Sequence, residues 1–499
     1  MTVDGSASGG LRRRSARAIL WIALPQVGYA LLLVAIPAIV ARTIDAREIG
    51  ALDVALGFYA VAVLFVELGM GPAIIQRPRL DDAFLTTVLA VNVATGLLFA
   101  TALWISAPLI TRWFGFDTLL TITLRAIALA MLPMAFAIVP RNLLARQLAF
   151  GRLSLAQGVA TVAAGGAAAV VFRSGSLASA LAAGVVAFAS ALAVGVWIAA
   201  GWRPTGRIQL GDLPHLLRFS IATSAARMLD SSSAPLERFL IAALLGPAAL
   251  GTYALARTLM RGPLRQLMTV FDTVLLPGLA LAERDGRHAA AYYLAAVRCE
   301  LALFGPLFVF VGVFATEIVA VLYGDRWPEV PTLVLILLPF AWRNITGHSV
   351  GAVFLSMGRP DVQVRWTIYA LGLTTVYVPV GAPWGLIGVA TAFAVLDTIG
   401  WIVSHTMANR LMGLRLTDFL SAVARPALAH LLLAATLAIA RMAVTGPVGV
   451  APGIALLLFG PLTLVLAAAF TWVIDAPLVR SLAAALGDFV GRKAPAATQ

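Results

Sequence analysis

At 499 residues, with hydrophobic side chains at 61% of positions and charged ones at only 12%, the chain is too apolar for a water-soluble protein. A net charge of +13 would suit a nucleic-acid binder, but no basic folded domain is available, and the cations fall between apolar runs. The single cysteine, Cys299, excludes an intramolecular disulfide, and His215, His288, His348, His405 and His430 lack ligand spacing, so neither metal nor cofactor is expected.

The fold class that follows is an all-α polytopic membrane protein of about fourteen spans, each near the ~20 residues needed to cross a bilayer. A basic segment, 1–17, with Arg12, Arg13, Arg14 and Arg17, precedes the first run, 18–41. That run exceeds the roughly 7 to 15 residues of a signal-peptide core, so it is expected to be retained. Runs at 49–70, 83–111, 119–140, 153–172 and 177–200 complete an N-terminal lobe, 18–200. A polar cytoplasmic linker, 201–215, carries Trp202, Pro204, Gly206 and Gly211. The C-terminal lobe, 216–410, holds runs at 216–245, 248–280, 291–322, 330–357, 363–381 and 384–408. Two further runs, 420–441 and 452–474, fill 411–475, and a tail, 476–499, follows; its stretch 477–490 reads as an amphipathic surface helix or a short extension.

Loop charge gives the orientation. With the N-terminus inside, inner segments hold Arg77, Arg79, Arg141, Arg146, Arg152, Arg203, Arg207, Arg284, Arg287, Arg359, Arg365, Arg410 and Arg415, among others, while outer ones hold Arg42, Arg47, Arg112, Arg173, Arg326 and Arg441. That bias places both termini in the cytoplasm. Two six-span lobes entering in the same direction make parallel repeats around a central cavity. Ile49-Gly50 and Leu250-Gly251 end corresponding turns in the two lobes.

Within the eighth run, Arg257, Arg261 and Arg265 recur every four residues, so they share one helix face over about 12 Å. An arginine near the bilayer centre costs at least roughly 2.5 to 3.5 kcal/mol, so the row is expected to line a cavity for an anionic passenger. The alternative is that Arg265 snorkels to the inner interface and Arg257 to the outer. Arg298 and Arg343 also lie within spans; Arg343 is flanked by Trp342 and Asn344, with His348 one turn on, a polar patch able to meet sugar hydroxyls. Among acids, Asp230 and Glu237 in the seventh run, together with Asp53 and Asp397, are candidates for coupling transport to protons or sodium; Arg227 and Arg238 stand close enough to Asp230 and Glu237 to offer structural pairing instead. Trp104, Trp113, Trp202, Trp327 and Trp472 read as interfacial anchors. No Walker loop or other catalytic motif is present, and the chain is expected not to be an enzyme.

Several runs are more specific. Glu67-Leu68-Gly69-Met70-Gly71-Pro72-Ala73-Ile74-Ile75-Gln76-Arg77, with Thr86, Thr87 and Asn92, resembles bacterial polysaccharide exporters. So do Leu250-Gly251-Thr252-Tyr253-Ala254-Leu255-Ala256-Arg257, Leu276-Pro277, Pro306 and Leu322-Tyr323-Gly324-Asp325-Arg326-Trp327. The resemblance covers roughly residues 15 to 410. It points to Wzx-type flippases of the polysaccharide transporter family, in a superfamily that also includes multidrug extruders and lipid II flippases. It implies two lobes in alternating access, moving an undecaprenyl-pyrophosphate-linked oligosaccharide outward for lipopolysaccharide or exopolysaccharide synthesis. The alternatives are an ion-coupled small-molecule exporter and a lipid II-type flippase. Implied partners are the lipid-linked glycan, membrane lipids, a proton or sodium ion, and polymerase or glycosyltransferase machinery; nucleic acid is not one, and a monomer is expected. For a pyrophosphate, Arg257, Arg261, Arg265, Arg298 and Arg343 offer guanidinium forks matched to its oxygens.

Overall fold

The computed structural model describes residues 37–67, 70–77, 80–173, 177–209, 211, 229, 231–260, 289–448 and 450–480. Among these the chain is helical, without strands. Inside hydrocarbon an unsatisfied backbone group costs several kcal/mol, so an apolar chain closes its hydrogen bonds within each helix. The helices are α1 (Ala46–Glu67), α2 (Met70–Gln76), α3 (Asp82–Trp113), α4 (Thr118–Arg146), α5 (Phe150–Phe172), α6 (Leu177–Ala200), α7 (Ser233–Leu245), α8 (Ala289–Val313), α9 (Ala315–Leu322), α10 (Val330–Ser356), α11 (Pro360–Gly381), α12 (Gly385–Leu411), α13 (Leu416–Val448) and α14 (Pro452–Ile474). Residues 37–43 and 247–260 are helical too.

Ten stretches among the described residues are long and apolar enough to cross a membrane. One, Asp361–Leu411, runs 51 residues and folds as α11 and α12 around a 3₁₀ turn, Ala382–Trp384. Pro383 lacks the N–H that a continuing helix needs, and Gly385 adopts φ +68°, the left-handed region that glycine enters without penalty. The expected runs 18–41, 216–245 and 248–280 lie partly outside the described residues, which keep 37–41, 229, 231–245 and 248–260 of them. The count of fourteen therefore stays an expectation. Where one run was expected at 291–322, the chain forms α8 and α9, divided at Phe314. The Phe314 ring is fully buried, 5.0 Å from that of Phe310 and 4.9 Å from that of Phe459, which holds the residue at non-helical φ −107°, ψ 25°.

The chain divides into two compact units, one of Asp45–Gly251 with Thr367–Ala382, the other of Met1–Ile44, Thr252–Trp366 and Pro383–Gln499. In the first, α4 is the central helix, packing on α1, α3 and α6, while α5 pairs with α6. Small residues permit the closest approaches: Gly195 faces Ala156, and Gly184 faces Ala164 and Ala168. Helix α1 meets 247–251 through a reciprocal glycine joint. A Cβ on Gly50 would overlap the Pro247 carbonyl, and one on Gly251 would overlap the Ala46 carbonyl. In the second unit, α8 packs on α10 and α13, α10 on α12, and α13 on α14.

Candidate functional site

In the first unit two buried acids of the expected ion-coupling set have specific partners. Asp53 of α1 meets Arg238 of α7, Oδ1 to Nε 3.1 Å, with side chains only 8% and 19% exposed. Glu237 is 1% exposed and accepts a 2.9 Å hydrogen bond from the Tyr377 hydroxyl of α11. Consecutive helical residues diverge by about 100°, so Glu237 and Arg238 reach different helices. Asp230, Arg227 and the linker beyond Gly211 lie outside the described residues.

The exporter-like signature around α2 has a structural basis in the same unit. Gly71 leaves room for the Glu67 and Asn142 side chains, whose oxygens would stand 2.6 and 2.9 Å from a Cβ there. Arg146 of α4 donates through Nη1 to the carbonyls of Ile74 (2.8 Å), Ile75 (3.1 Å) and Arg77 (2.6 Å), capping the end of α2. The linker is fastened to the first turns of α3. Trp202 and Thr205 donate to the Asp82 carboxylate at 3.2 and 2.9 Å, and the Gln209 N–H donates to Thr87 Oγ1 at 2.9 Å. Trp202 also stacks on Trp197 at 5.5 Å, so it is a linker clasp before it is an anchor.

In the second unit Arg257 is 7% exposed. Arg261 and Arg265 lie outside the described residues, as does Asp272. Arg298, expected to meet cargo, donates through Nε to Asp475 Oδ2 at 3.0 Å, and its Nη2 engages the same oxygen. Asp475 is 2% exposed and has Arg425 as a second cation at 3.8 Å. Arg343 and Asp397, expected in separate roles, pair at 3.3 Å, and Arg343 also donates to the Ala394 carbonyl at 3.2 Å. Pairing of this kind is what makes a charge tolerable in a span, because each partner offsets the desolvation of the other. Two more polar clusters are buried here. Ser349 donates to Glu300 at 2.6 Å, and His405 bridges Tyr293 (2.9 Å) and Thr346 (3.0 Å), with Trp401 donating to Thr346 at 3.0 Å.

The second signature, Leu322 to Trp327, interlocks helix ends. Arg42 donates to the Leu322 carbonyl at 3.1 Å, while Arg326 and Trp327 donate to the carbonyls of Ile44 (3.0 Å) and Ala41 (3.1 Å). Each helix supplies the donors that the other's last turn lacks. Trp327 is thus 5% exposed and hydrogen-bonded, which corrects its reading as an interfacial anchor.

These signature positions fall within a family match. Residues 39–331 match the family described as "Polysaccharide biosynthesis protein". The chain belongs to this family. Lipopolysaccharide biosynthesis protein WzxC of Escherichia coli (strain K12) is 24% identical over 377 residues, 74% of this chain and 75% of that protein. Teichuronic acid biosynthesis protein TuaB of Bacillus subtilis (strain 168) is 21% identical over 372 residues, 73% of this chain and 76% of that protein. In architecture the chain is similar to lipid II flippase MurJ in an inward closed conformation, with a TM-score of 0.74 over 92% of this chain and 100% of that one at 12% identity. That likeness establishes a shared fold.

Several polar contacts escaped the sequence reading. Arg125 of α4 places its guanidinium carbon 5.2 Å from the centre of the Trp104 ring, so Trp104 serves a cation as well as an interface. Asn92 is fully buried, and neither of its side-chain polar atoms has a hydrogen-bond partner. His430 accepts from Trp342 at 3.0 Å, its ring filling the space that Gly305 leaves open. A lone polar residue in an apolar run signals that something must compensate it, but the signal names no partner.

Proposed function

We propose that this chain moves an undecaprenyl-pyrophosphate-linked oligosaccharide from the inner to the outer leaflet of a bacterial inner membrane, by alternating access and with no catalytic step. The observation that carries the reading is the family match over residues 39–331, whose relatives are named for building surface polysaccharides. The burial of Arg257 supports a cationic row turned away from lipid. In this reading Arg257, Arg261 and Arg265 hold the pyrophosphate, both termini are cytoplasmic, and the lobes are 18–200 and 216–410. Arg298 and Arg343 reach cargo only by exchanging Asp475 and Asp397 for it. Asp53, Asp230, Glu237 and Asp397 are the acids through which a proton or sodium gradient acts. The fold shared with MurJ favours a lipid II-type cargo as the second reading, which rescue of a strain depleted of its lipid II flippase distinguishes.

The test replaces Arg257, Arg261 and Arg265 together with Gln and measures export of the lipid-linked glycan. Each charge-assisted hydrogen bond lost is worth about 1.5 to 3 kcal/mol, so export falls at least about tenfold at normal protein level. Unchanged export overturns the cargo role of the row.

A further inference from the structure

A cavity of about 140 Å³ lies inside the second unit, between the last turns of α10, the first turns of α11 and the second half of α12. By the same measure one water needs roughly 10 to 15 Å³, so the space accommodates a guest of several polar atoms. Its wall combines the indoles of Trp366 and Trp401 with Asn344, Gln363, Asp397 and Ser404. The two amides each offer donors and an acceptor, the carboxylate accepts, and the indoles give flat apolar surface. Val350 completes the lining, and Gly347 and Gly351, one turn apart on α10, leave the wall there open to a guest.

The chemistry of this wall selects among guests. An acyl chain would strand four polar side chains against hydrocarbon. A phosphate would meet Asp397 with no arginine or lysine in the lining. A pyranose ring fits both features, its C–H face on an indole and its hydroxyls on the amides and carboxylate. We propose that this cavity binds one neutral sugar ring of the glycan cargo, apart from the site that holds the pyrophosphate. The inference rests on the flippase reading. On the orientation given there, the turn joining α10 to α11 is cytoplasmic, so the ring is engaged as cargo loads.

The test uses the full chain in lipid nanodiscs and three probes: citronellyl pyrophosphate alone, its glucosyl form and its glucuronosyl form, each titrated by calorimetry. The glucosyl probe is expected to bind at least about tenfold more tightly than the sugarless one, the worth of one or two good hydrogen bonds. The glucuronosyl probe should gain nothing, because its carboxylate meets Asp397. Gly351→Leu fills the cavity and should equalise the glucosyl and sugarless affinities by weakening only the former. Gly351→Ala guards against misfolding. Its new Cβ stands 3.7 Å from Gln363 Oε1, an ordinary contact, and it should narrow the preference, as should Asn344→Ala, which removes an amide and adds no bulk. A glucosyl preference that survives all three substitutions, equal binding of the two sugar probes, or no preference in the native chain overturns the sugar cavity. If the sugarless probe still binds in those cases, the flippase reading stands; failure of every probe to bind the native chain overturns both.

Discussion

Asp53 and Arg238 illustrate what one buried charge demands of another. With Asp53 only 8% exposed, removing Arg238 leaves a carboxylate in a low-dielectric interior, a loss of about 3 to 5 kcal/mol for a broken buried pair. Arg238→Leu should therefore lower the melting temperature of the detergent-solubilised protein sharply. The double variant Asp53→Asn with Arg238→Leu, which removes both charges, should recover most of it. Equal losses in the single and double variants would mean that the pair is not coupled. The need for a partner was legible in the sequence at Asp53, Glu237, Arg298 and Arg343, since a charge within an apolar run requires compensation. The identity of the partner was not. Local rules pair residues three or four apart, whereas Arg298 finds Asp475 across 177 positions.

Helix existence was legible wherever hydropathy and punctuation agree. The run read as 119–140 is α4, Thr118–Arg146, and the pair read as 363–381 and 384–408 was separable because Gly381-Ala382-Pro383-Trp384-Gly385 marks a turn. The division of α8 from α9 at Phe314 left no such mark, because ring packing against a distant helix causes it. Short α2 is a different case. Seven residues cannot hold a helix alone, and Arg146 compensates by taking two of its terminal carbonyls and that of Arg77 just beyond it. Arg146→Ala removes those donors at about 1 to 3 kcal/mol, so trypsin should cut the purified protein after Arg79, the first cleavable arginine past α2 because Pro78 blocks cleavage after Arg77, severalfold sooner than it cuts the native chain. Unchanged digestion would assign α2's stability to its apolar contacts alone.

At the scale of the molecule, side chains such as Ile105, Leu109, Val162, Ile198, Leu457 and Val473 stand 70 to 79% exposed, an apolar exterior that only a bilayer can cover. The orientation proposed from loop charge is open to a direct measurement. Cys299 is the sole cysteine, so Cys299→Ser gives a clean background. A membrane-impermeant maleimide should label Asp117→Cys on intact cells, and label Arg410→Cys only after permeabilisation. The reverse pattern overturns the orientation. Asp117 serves well because its bond to Arg47 is exposed on both sides, at 71% and 51%, and contributes little.

The glycine joint between α1 and residues 247–251 looks the same from either end. Each backbone oxygen occupies the notch left by the other helix's absent methyl, so the two halves of the joint are interchangeable, as halves of a clasp cast from a single mould. A wedge driven in at one end must pry open the other. Gly50→Ala and Gly251→Ala should therefore destabilise the protein by matching amounts, about 1 to 3 kcal/mol each, read as equal drops in melting temperature, and the double variant by less than their sum.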